Sequence, residues 1–112
     1  MQPVEVANRY AASVRARDIE GYMALFAEDA VMTFPDGRAL LGAGAIRLER
    51  LRVFESGASP SPTVVAMIAG ENAVAVELKV QLSDGAFMHT TNLYYLNNEG
   101  RIQRLNSYRQ GR

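Results

Sequence analysis

With one histidine and no cysteine, this chain has few residues that can do chemistry, and those few narrow its function. Without a thiol, disulfides, thiolate catalysis and cysteine-based metal sites are excluded together. His89 is out of phase with Asn92 on one run of alternating residues, so the two point to opposite faces of a strand. No nucleophile–base pair, metal-ligand cluster or phosphate loop is present. Gly42 and Gly44 lack the third glycine and the parallel strand unit of a dinucleotide fingerprint. The residues call for no metal and no cofactor.

What remains is hydrogen-bond chemistry. Tyr10 lies on the apolar side of a helical pattern. Its hydroxyl either opens into a pocket or bonds a neighbouring carbonyl in the core. Asn92 holds an inward strand position, where an amide costs free energy until it meets a ligand, a trapped water or Tyr10 itself. Asp36 is a weaker candidate, because a turn between Pro35 and Gly37 favours aspartate anyway. Arg109 shares the phase of Leu105 and Ser107 and either meets an anionic group at a pocket mouth or snorkels to solvent. Tyr22, Met23, Phe26, Phe34, Phe54, Leu78, Leu82 and Met88 would line an apolar cavity or fill it, with Leu105 facing the same interior.

These residues need elements to hold them. Val6, Ala7, Tyr10, Ala11 and Val14 recur at helical spacing and predict an amphipathic first helix opening near Pro3. Asp18 reads as the N-cap of a second short helix, with Ile19, Tyr22, Met23 and Phe26 as its stripe and Glu28 and Asp29 closing it. Ala30–Phe34 is a short β-inclined run that enters the turn Pro35-Asp36-Gly37, and Arg38–Leu41 can return as its partner. A third helix follows Gly42 and Gly44, with Ile46, Leu48, Leu51 and Phe54 as its apolar positions. Its charged positions, Arg47, Glu49, Arg50 and Arg52, read as a solvated face. Ser56, Gly57, Pro60 and Pro62 mark a loop.

From Thr63 the period changes to two. Strands are expected over Thr63–Ala69, Ala73–Leu82, Phe87–Leu96 and Ile102–Arg109, with turns at Glu71-Asn72, Ser83-Asp84-Gly85 and Asn97 to Gly100. Helices followed by an antiparallel meander make an α+β domain with its helices on one face of a curved sheet.

A chain of 112 residues suits one domain over 1–112, and 48% hydrophobic with 21% charged residues is the balance of a globular protein, not a disordered one. Twelve basic residues balance twelve acidic ones and form no stripe, which argues against nucleic acid as a partner. The start, Met1–Val6, has neither a basic region nor an apolar stretch, and no apolar run approaches a membrane span. The expectation is a soluble, cytoplasmic protein.

Several runs resemble one family. Asn8-Arg9-Tyr10-Ala11-Ala12, Arg17-Asp18-Ile19-Glu20-Gly21 and Ala24–Val31 resemble the opening of ketosteroid isomerases and SnoaL-like proteins, of the nuclear-transport-factor-2-like superfamily. Gly42–Ile46 resembles the start of their third helix, and Asn98-Glu99-Gly100-Arg101-Ile102 the turn before their last strand. The resemblance implies a cone: a bent antiparallel sheet wrapped around three N-terminal helices, with a pocket between them. It further implies an oxyanion-binding role for Tyr10, with Asn92 at the position of a protonated aspartic acid. The catalytic base falls on Phe34, which accepts no proton, so ketosteroid isomerisation is not expected. Two readings follow. One is a pocket for a small, largely apolar molecule, with isomerase or cyclase chemistry through an enolate. The other is a non-catalytic binding or dimerisation domain of the same fold. Phe87, Leu93 and Tyr95 on the outer strand face, together with the pairing habit of such relatives, predict a homodimer through that face.

Overall fold

The computed structural model describes residues 1–57 and 60–110. The first helix, α1, spans Pro3–Ala16 and buries Val6, Ala7, Tyr10, Ala11 and Val14, the side that the spacing singles out. Asp18 caps α2, Ile19–Met23, by accepting a hydrogen bond from the Gly21 amide at 3.0 Å. A Cβ at Gly21 would meet that carboxylate, so a larger residue there would push the capping side chain aside.

The second helix stops earlier than its apolar stripe suggests. Phe26–Thr33 is a strand, β1, and the Ile102 amide donates to the Leu25 carbonyl at 2.7 Å. Phe26 pairs with Ile102 in the sheet, and these ladder bonds outweigh the helical periodicity of a short segment. The hairpin partner β2 is short, Ala39–Leu41, and Gly42 turns the chain into α3, Ala43–Glu55, at a φ of 93° that suits glycine.

The remaining strands lie close to expectation: β3 over Ser61–Ala69, β4 over Ala73–Gln81, β5 over Phe87–Leu96 and β6 over Ile102–Arg109. Pro62 sits in β3 opposite Val80 and not in a loop, while Ala58 and Ser59 of that expected loop lie outside the described residues. Leu82 falls in the turn after β4, where its amide donates to the Ala86 carbonyl.

The strands form one curved sheet in the order β2-β1-β6-β5-β4-β3. Four neighbouring pairs are antiparallel, as the meander predicts. The exception is β1, which joins β6 in parallel, with a register break between Phe26 and Val31. On the inner face, α1 packs against β3, β4 and β5, and α3 against β1 and β2. Val74, Val76, Leu78 and Val80 alternate inward on β4, and Thr90, Asn92 and Tyr94 do so on β5.

Candidate functional site

Below α3 the core is aromatic. Tyr10 stacks edge-on against Tyr94 at 5.2 Å between ring centres and lies 5.2 Å from Tyr22, which in turn meets Phe26 at 5.1 Å and Phe54 at 6.4 Å. Among these rings lies Arg50. Its Nη2 donates to the Tyr10 hydroxyl and to the Tyr22 hydroxyl, each at 3.2 Å. Its guanidinium carbon stands 4.8 Å from the Tyr22 ring centre and 5.8 Å from that of Phe54. Among the described residues no carboxylate forms an ion pair with it.

Arg50 corrects the expectation of a solvated charged face on α3. Ile46, Arg50 and Phe54 follow one another at four-residue steps and share one side of the helix, which faces inward. Leu48, expected inside, is 72% exposed. That four-residue spacing was legible in the sequence, but the even spread of charge around the helix hid it. Glu49 also leaves the solvated face in part: its side chain is 21% exposed and bound by Arg52.

Two cavities meet at Arg50 and Pro60. The smaller, about 150 Å³, is lined by Tyr10, Val14, Leu78, Val80, Met88, Thr90, Asn92, Ser107 and Pro62 in addition to those two. The larger, about 250 Å³, is lined by Tyr22, Met32, Phe34, Leu40, Ile46, Glu49 and Val53 as well. Tyr10 and Asn92, singled out from the sequence, therefore border one space. Phe34 borders the other, with the Arg38 guanidinium 4.4 Å from its ring centre.

The other candidates disperse. Phe26, Phe54 and Leu105 are buried in the core, and Met23 and Leu82 pack against it half-buried. Asp36 sits in an exposed turn, where it accepts a hydrogen bond from the Arg38 amide at 2.9 Å. Arg109 is exposed near the end of β6, opposite Thr90. His89 is exposed on the outer face, as its phase predicts.

The electrostatics follow from burial. Burial pushes the Tyr22 phenol well above its ordinary value; Tyr10 adds to this, and Arg50 pulls the other way. Burial likewise raises Tyr94, with Tyr10 adding to it. Burial alone would pull the Arg50 guanidinium down, but the facing Tyr10 and Tyr22 hydroxyls more than offset it, so the group stays cationic. Asn92 is 5% exposed; its Nδ2 donates to the Tyr94 hydroxyl at 3.0 Å, and its Oδ1 has no partner among the described residues. A buried acceptor left bare costs roughly 1–3 kcal/mol.

The profile of the SnoaL-like domain family matches residues 7–105. The chain belongs to that family. No curated protein matches it significantly. Among solved structures, this SnoaL-like domain superposes on a protein from Sphaerobacter thermophilus with a TM-score of 0.83 and 25% identity, covering 100% of this chain and 99% of that one. A candidate polyketide cyclase from Sinorhizobium meliloti gives 0.81 at 23% identity over 92% and 93% of the two chains. A candidate ketosteroid isomerase from Kribbella flavida gives 0.84 at 19% identity over 96% and 77%. The last two likenesses establish the fold.

Proposed function

We propose that this SnoaL-like domain holds a small, largely apolar molecule beneath α3, with Tyr10, Arg50 and Asn92 meeting its polar end. The observation that carries this reading is a cation without a carboxylate partner among the described residues and an unpaired amide oxygen, both bordering one small, otherwise mostly apolar space. Ligand sites typically combine apolar walls with a few convergent polar groups in just this way. Each cavity is below the roughly 300 Å³ at which such sites usually begin, which favours a ligand of about one ring.

For a ligand with an enolisable carbonyl, Arg50 and the Tyr10 hydroxyl would stabilise the oxyanion, as isomerase and cyclase chemistry requires. Arg50 donates to the Tyr10 oxygen and thereby makes the Tyr10 hydroxyl a stronger donor. Glu49 is the carboxylate on the larger cavity and would have to release Arg52 to take a proton. Phe34 supplies no base, so a ketosteroid should show no isomerisation above background. The binding reading is tested by titrating the protein with one-ring compounds while following its amide resonances. Shifts centred on α1, α3 and β5 are expected, and their absence across the set would overturn the reading.

The outer sheet face supports a second proposal, a homodimer. By strand register, Ile68, Ala75 and Leu93 form a row across β3, β4 and β5, and Ile68 is 79% exposed. Phe87 and Tyr108 add exposed rings to the same face. Sedimentation at micromolar concentration should show a dimer that Leu93→Glu and Tyr95→Glu dissociate. A monomeric wild type would sink this proposal.

A further inference from the structure

The binding reading leaves the ligand's charge open, and two features of the cavity wall narrow it. The first is the unspent capacity of Arg50. A guanidinium has five N–H groups in a fixed fork. Both of its side-chain hydrogen bonds leave from Nη2. Its Nε and Nη1 have no hydrogen-bond partner among the described residues, and neither is sealed from solvent. Of the two phenols, Tyr22 does not neutralise the charge, since burial keeps it protonated. The two phenols also have a proton to spare. Their oxygens are 3.5 Å apart, a long contact that uses at most one of the two hydroxyl hydrogens. The second feature is Asn92, whose Oδ1 is an acceptor with no donor facing it among the described residues.

We propose that the cavity takes a monocarboxylate on a small apolar skeleton that also bears a hydroxyl: the carboxylate docks on Arg50 with a tyrosine hydroxyl, and the ligand hydroxyl donates to Asn92 Oδ1. This rests on the binding reading above and adds the ligand's charge and its donor. A two-oxygen anion can accept from a free Arg50 N–H with one oxygen and from a tyrosine hydroxyl with the other. A phosphate dianion fits less well, because the described lining offers one cation and also presents Glu49. A neutral ligand would cover this half-buried cation without supplying a counter-charge, which is the costlier arrangement.

The test uses phenylacetate, its neutral amide phenylacetamide, and the 2-, 3- and 4-hydroxyphenylacetates, with affinities read from amide-resonance titrations of the intact protein. Phenylacetate should bind at least tenfold more tightly than phenylacetamide, and its advantage should fade as pH falls through the probe's own carboxyl titration. In Arg50→Gln the preference should vanish. Because that variant risks misfolding, Tyr10→Phe provides a second check and should reduce the acid's advantage severalfold. At least one hydroxylated isomer should bind severalfold more tightly than phenylacetate, and Asn92→Leu should abolish that gain while sparing the acid-over-amide preference. Equal binding of acid and amide, or an acid preference that survives in folded Arg50→Gln, overturns the carboxylate proposal and leaves the pocket reading standing. Failure of every hydroxylated isomer to outbind phenylacetate overturns the assignment of Asn92. No resonance shift with any compound overturns the proposal and the pocket reading together.

Discussion

Arg47, Arg50 and Arg52 lie within two turns of one helix, yet they occupy different environments. Arg47 reaches Glu20 and Arg52 reaches Glu49, both pairs at the solvent-facing side of the helix. Arg50 turns inward to two phenol oxygens and two ring faces and pairs with no described carboxylate. Solvent-exposed ion pairs are screened and entropically costly, so they contribute little. A guanidinium held among rings beside a cavity is partly desolvated, and its remaining N–H groups exert a directed field there. The chemistry of an arginine here depends on the side of the helix it occupies.

The largest effect that would sharpen this contrast is Arg50→Ala, which should lower unfolding free energy by about 2–3 kcal/mol in chemical denaturation, through lost charge-assisted bonds and an enlarged void. A variant as stable as wild type would put Arg50 on a par with its surface neighbours.

Alkaline titration probes the same cluster without mutation. The raised values of Tyr22 and Tyr94 mean that the unfolded chain begins to lose phenol protons near pH 10 while the folded chain keeps them. Their contribution is therefore complete below that pH and is lost as pH rises through the raised folded values. Each phenol should remove up to about 1.4 kcal/mol of stability per pH unit there, and Tyr22→Phe should flatten the slope. An unchanged slope would mean that Tyr22 does not titrate as a buried phenol.

Next in size is Tyr22→Phe at neutral pH. It deprives Arg50 of one acceptor and should cost about 1 kcal/mol, measured as a shift in denaturation midpoint. The smallest effect belongs to the outer pairs. The side-chain bond and charge of Arg47 lower the Glu20 carboxyl below its ordinary value, so any stabilisation from it would be lost as pH falls through that lowered value. Because the pair is open to solvent and screened, Arg47→Ala should leave the unfolding midpoint unchanged at physiological salt. A measurable loss there would erase the contrast between the two sides of α3.

Much of this molecule is local physics that a sequence displays. Alternation along Ala73–Gln81 and Phe87–Leu96, the Asp18 cap and the helical spacing of Val6 to Val14 each specify their own element, because one buried face imposes its period on the residues that fill it. The inward phase of Asn92 and the outward phase of His89 follow from the same rule. Tertiary structure decided the rest. Phe26 became a strand residue because β6 offered it a ladder, and no periodicity within Ile19–Asp29 encodes a partner seventy-odd residues away. Arg50 became the cation of the aromatic cluster because α3 places it over Tyr10 and Tyr22, 40 and 28 residues distant. Sequence spacing shows which side chains share a face. Only the packing of α3 over the sheet determines which face meets water and which meets the phenols, because that choice depends on contacts between residues far apart in the chain.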